Sequence, residues 1–127
     1  MTIAYFCIII HLLMAYGLAG IAKFSQKGYD NEQPRNFINS LKGKGQRALW
    51  AHQNSMEANA PFFAGVIIAH LCNITQTHID LAAILFCLCR LVYAYFYISN
   101  QATKRSLSWG VALLCNLFLL TGGFFYA

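Results

Sequence analysis

The chain has 127 residues, 58% of them hydrophobic and only 10% charged, with a net charge of +5. A soluble domain carries about 25% charged residues, and one of this size cannot hide so much apolar surface. The composition therefore excludes an ordinary soluble protein and points to a single integral membrane domain over residues 1–127.

Residues 3–22 are almost uncharged and about the length needed to cross a bilayer. A signal peptide would have a basic start and a shorter apolar core, so a retained helix is expected. Residues 23–45 contain Lys23, Lys27, Asp30, Glu32, Arg35, Lys42 and Lys44, with glycines and a proline among them. They read as a long aqueous loop. A second span is expected at about 46–72, a third at 79–99 and a fourth at 107–126, with short polar turns between them. Such turns join antiparallel neighbours, so the predicted fold is an all-α membrane four-helix bundle.

Charge placement sets the expected orientation. The loop after the first span, with Arg47 at its edge, and the turn holding Lys104 and Arg105 contain eight of the nine basic residues. The termini and the turn at 73–78 contain none. By the positive-inside rule, loops 23–45 and 100–106 are cytoplasmic and both termini lie outside, an inner-membrane placement if the source is bacterial. The ninth basic residue, Arg90, lies inside the third span.

The segment RALWAHQNSMEANAPFF, Arg47 to Phe63, opens the second span with many groups that are costly in lipid. At 1.5 Å per residue, Glu57 lies roughly 16 Å and Arg90 roughly 15 Å below the cytoplasmic boundary. The two are expected to meet and offset each other's burial. Arg47, Trp50, Asn54, Glu57 and Pro61 share a helical face by spacings of three and four, and His52 points away from it. On the third span, Arg90, Tyr93 and Tyr97 share a face. The proline ring excludes the hydrogen bond to the carbonyl of residue 57. A fastening role for a Glu–Arg pair is the plain alternative; the polar face running towards a basic mouth points instead to a path for an anionic ligand.

Other features carry less. Five cysteines, all in apolar segments, read as small hydrophobes and not as a disulfide framework. His11, His70 and His78 lack metal-ligand spacing, so no metal site is expected. There is no phosphate loop or serine-nucleophile motif, and basic residues confined to membrane edges do not support nucleic-acid binding. Trp50 reads equally as an interface anchor or a pocket residue. The small and aromatic residues of the fourth span read as packing.

RALWAHQNSMEANAPFF, RLVYAYFY and the following KRS resemble the MAPEG family, the membrane-associated proteins in eicosanoid and glutathione metabolism. The resemblance covers nearly the whole chain, and the YDNEQPR loop is similar to that of uncharacterised bacterial members. It implies a homotrimer of four-helix bundles, embedded in lipid, with glutathione as co-substrate in a U-shape between subunits. By that resemblance Arg47, Asn54 and Glu57 hold the peptide, Arg90 supports Glu57, and Tyr93 and Tyr97 line the pocket. Arg105 matches the arginine that favours the thiolate in leukotriene C synthases, and Ser106 a pocket serine of prostaglandin E synthases. The implied chemistry is thiolate attack on a lipophilic electrophile, or peroxide reduction. Trp50 departs from the pattern, since characterised mammalian members have an arginine there, and Lys23 is the only basic residue near the end of the first helix. A non-catalytic binding or scaffold protein of the same fold, and a small four-span exporter, are the rival expectations.

Overall fold

The computed structural model describes residues 1–126; Ala127, the last residue of the expected unit, lies outside the described residues. Six helices follow in order: α1 (Ile3–Phe24), α2 (Pro34–Asn39), α3 (Gly43–Leu71), α4 (Gln76–Ile98), α5 (Ala102–Thr121) and the short α6 (Gly123–Tyr126). The four long helices form the expected bundle.

Local chemistry explains where the helices start and stop. Thr2 caps α1, its hydroxyl accepting from the amide of Tyr5. The Asp80 carboxylate accepts from the amide of Ala4 at 2.8 Å, placing a negative charge at the positive end of α1. The two short turns share one device. Asn73 (φ 55°) and Asn100 (φ 60°) adopt the left-handed conformation just past α3 and α4. The following amides, of Ile74 and Gln101, then bond back to the carbonyls of Ala69 and Phe96 at 3.2 and 2.9 Å. Asparagine is one of the few residues that tolerates this helix-ending geometry.

Small and apolar residues make the helix contacts. Ala4, Cys7, His11, Ala15, Leu18 and Ala22 form the buried stripe of α1. Ala48, Ala51 and Ser55 begin that of α3, which continues through Asn59, Phe62 and Val66 to Ala69. Such residues let backbones approach closely. At mid-bundle Phe62 of α3 stacks on Phe86 of α4, with ring centroids 3.9 Å apart. The exterior is apolar: Phe6, Ile10 and Leu13 of α1, and Leu81, Leu85, Leu88 and Leu91 of α4, are exposed. A soluble bundle places its polar residues there.

The fold differs from the sequence expectation in the first loop. The loop 23–45 is not wholly aqueous. It contains α2, begun by Pro34 at its first position, and its Phe37 and Leu41 pack with Ala22 and Ala48 as a second small core. Among the described residues, α1 and α4 are the helices individually long and apolar enough to cross a membrane. Polar side chains dilute α3 and α5, and Asn54, Glu57, Arg105, Ser106 and Asn116 among them line the site described next.

Candidate functional site

Between α3, α4 and α5 lie two adjoining cavities. The inner one, of about 230 Å³, is bordered by Asn54, Glu57 and Pro61 of α3, Phe86 and Arg90 of α4, and Trp109 and Asn116 of α5, among others. The outer one, of about 220 Å³, is lined by Asn54, Tyr93, Tyr97, Arg105, Ser106 and Trp109. Asn54 and Trp109 belong to both, so the cavities adjoin end to end and are described together as a passage. The outer part lies at the end where α4 finishes and α5 begins, beside the basic residues.

Helical spacing builds each wall. Asn54, Glu57 and Pro61 stand one turn apart on α3; Phe86, Arg90, Tyr93 and Tyr97 do so on α4. Helix α5 contributes Arg105, Trp109, Ala112 and Asn116 at spacings of three and four.

Two arginines and two tyrosines form a ladder along the passage. The Arg90 guanidinium carbon lies 4.3 Å from the centroid of the Tyr93 ring, and that of Arg105 lies 4.5 Å from the centroid of Tyr97. The two rings meet edge to face, with centroids 5.6 Å apart. A cation held on an aromatic face is stabilised without its charge being neutralised, so both guanidiniums keep their attraction for an anion. Arg90 is only 1% exposed.

Arg90 does not donate to Glu57, as the depth count led one to expect. Its Nη2 donates to Ser55 Oγ at 3.1 Å, on the buried face of α3. The Glu57 carboxylate is exposed on the chain's surface and accepts only a long contact of 3.5 Å from Asn54 Nδ2. Three buried atoms at the passage have no hydrogen-bond partner among the described residues: Asn54 Oδ1, Arg90 Nε and Asn116 Oδ1. These atoms belong to residues that line the passage, where the Glu57 carboxylate stands beside two guanidiniums.

Arg47 is placed elsewhere. Its Nε donates to the carbonyl of Ile98 at 2.9 Å, at the end of α4, and it borders neither cavity. His52 faces away, as its helical position predicts, and Nδ1 donates to the carbonyl of Ala15 on α1. Trp50 is 42% exposed, with its ring centroid 6.4 Å from that of Tyr97.

Sequence reasoning missed Asn116 and Trp109 by reading the fourth span as packing. The available signal was Asn116 itself, a lone carboxamide in an apolar run, in step with Arg105 and Trp109. It also missed a structural pair. His11 of α1 lies fully buried, and its Nδ1 donates to Asn59 Oδ1 at 2.7 Å.

No curated protein and no solved structure matches the chain significantly. The sequence profile of the MAPEG family matches residues 1–125. With the four long helices and their apolar exterior, that match assigns the fold: the chain belongs to the MAPEG family, whose members are integral to membranes.

Proposed function

We propose that the protein is a glutathione-dependent transferase or peroxidase acting on lipophilic electrophiles that reach it through the membrane. The observation that carries this reading is the passage itself. Asn54, Glu57 and Arg90 line its inner part, and Arg105 stands over Tyr97 beside Ser106 in its outer part. The family includes glutathione-dependent transferases and peroxidases, and non-catalytic members too.

The donor set suits the peptide. Glu57, with Asn54 beside it, accepts from its ammonium and amide groups, while Arg90 and Arg105 attract its carboxylates or its sulfur. Glutathione supplies the sulfur nucleophile when bound. Arg105 lowers the electrostatic cost of a thiolate held beside it. The tyrosine beneath it fixes the guanidinium, and the Ser106 hydroxyl offers a further donor. The apolar flank of the inner cavity, from Ala58 and Phe86 to Leu113, admits the lipophilic partner and limits competing water.

In this reading α1, α3, α4 and α5 all span the membrane. Loops 23–45 and 100–106 are cytoplasmic and both termini lie outside. The assembly is a homotrimer, in which the exposed Glu57 and Trp50 become part of subunit interfaces. The whole described chain acts as one membrane domain.

One observation favours a non-catalytic binding protein instead. Trp50 stands where the resemblance expects an arginine, and Arg47 is engaged by Ile98, so the passage has fewer anion clamps than expected. Measuring glutathione binding to the purified, detergent-solubilised protein separates the readings. Saturable binding below millimolar concentration, with conjugation of an apolar nitroaryl halide, is the expected result. Absence of binding at millimolar glutathione would sink the proposal. Binding without turnover leaves the scaffold reading, and proton-coupled drug flux abolished by Glu57→Gln would favour an exporter.

A further inference from the structure

Four aromatic side chains border the two cavities: Phe86, Tyr93, Tyr97 and Trp109. Three of them are engaged by the protein itself. Phe86 is 3% exposed and stacks on Phe62. Tyr93 carries Arg90, Tyr97 carries Arg105, and the two tyrosines meet edge to face. Trp109 differs. Among the described residues no ring packs on its indole and no cation sits over it, and the residue is 44% exposed.

Its position gives that free ring a use. Trp109 stands one turn beyond Arg105 on α5. It borders the outer cavity with Arg105 and Ser106, and the inner one with apolar Phe86, Ala112 and Leu113. The other residue common to both cavities is Asn54, on α3. A lipophilic molecule in the inner cavity that reaches towards Arg105 therefore lies against the tryptophan.

We infer that Trp109 is a specificity-determining residue, whose indole is the surface on which a planar, electron-poor aromatic ring of the lipophilic substrate stacks. The favoured substrates are then activated aromatic compounds, in preference to saturated ones of the same size. This deepens the proposed function and rests on its assignment of the inner cavity to the lipophilic partner. The physical basis is the ring quadrupole. The indole face is electron-rich, and it attracts a ring whose own face has been depleted by electron-withdrawing groups. The same withdrawal makes a ring carbon electrophilic, so the class that stacks is the class that a sulfur nucleophile attacks. A puckered saturated ring loses the flat contact and the electrostatic part together.

The test reads binding, not turnover. Nitrobenzene and nitrocyclohexane carry the same polar group on rings of the same size, one planar and electron-poor, the other puckered and saturated. The chain has two tryptophans, so Trp50→Phe leaves Trp109 as the sole tryptophan reporter, and nitro compounds quench its fluorescence. In that protein, held in nanodiscs and corrected for uptake by empty ones, nitrobenzene is expected to bind about fivefold more tightly, the worth of one stacked aromatic pair. Equilibrium dialysis extends the comparison to variants without the indole. Trp109→Leu is expected to abolish the preference, and Trp109→Phe, which keeps a stacking face, to retain most of it. Equal affinity for the two probes in the Trp50→Phe protein overturns the inference, and so does a preference that survives Trp109→Leu. Loss of the preference in Trp109→Phe as well as in Trp109→Leu also overturns it, by giving the selectivity to the indole N–H. The first comparison needs no change at position 109, so a variant that fails to fold does not shield the inference from refutation. Failure of glutathione to bind at all sinks the proposed function but leaves the probe preference readable, so the two failures are distinct.

Discussion

Helix α3 carries polar residues on two faces, and the faces differ in what satisfies them. On the inner face Ser55 accepts from Arg90, and Asn59 accepts from His11. Both residues are buried, and each ties α3 to a neighbouring helix. On the outer face Asn54 leaves its carbonyl oxygen unpartnered, and Glu57 is exposed beside the passage. Two carboxamides five positions apart on one helix, Asn54 and Asn59, therefore do opposite things. Polar groups in an apolar bundle fasten helices when they find partners inside it and remain available for a ligand when they do not. Partner geometry, more than residue type or depth, tells the two apart.

Substitutions at four positions can break or sharpen that contrast. Arg105→Ala should lower kcat/KM for glutathione conjugation by about 100-fold, typical of losing one group that stabilises reacting charge, with little change in thermal unfolding. A smaller loss in Arg105→Lys would show that charge, more than fork geometry, is what acts. On the inner face, Asn59→Leu strips His11 of its partner and should cost about 2 kcal/mol of stability, read from unfolding in detergent. If it instead leaves stability intact and weakens glutathione binding, the division between the faces is wrong. Glu57→Gln, on the outer face, should raise the glutathione Kd about tenfold and shift stability by less than about 0.5 kcal/mol. The smallest effect is expected of Arg47→Met. It removes one bond to a helix-end carbonyl, worth about 1 kcal/mol, and should leave glutathione affinity unchanged. A clear loss of affinity there would restore Arg47 to the ligand.

Much of this was legible in the sequence. Apolar runs of bilayer length and two asparagine-containing turns give four long helices. Spacings of three and four on each helix bring Asn54, Glu57, Arg90, Tyr93, Tyr97, Arg105 and Ser106 to one passage. What was not legible depends on rotation between helices. A depth count places Arg90 level with Glu57 but does not say which face of α3 it meets, and it meets Ser55. Asn59 and His11 lie 48 positions apart, and neither shows a motif. Arg47 lies in register with Asn54, yet it sits close enough to the end of α4 for its Nε–H to donate to the Ile98 carbonyl. The helix α2 was hidden because only Phe37 and Leu41 among its surroundings are fully buried, too few for a periodic signal.

That small core at the end of the bundle has a practical side. Ile98 packs against it and also receives the Arg47 bond, and the Asn100 turn leads directly from there to Arg105. The segment around Phe37 therefore acts as a splint for the ladder's outermost rung. Residues 30–33, by contrast, are exposed and contribute nothing to that core. An epitope or fluorophore inserted there should report on the protein without disturbing the passage, whereas lengthening the chain between Phe37 and Leu41 should move the mouth.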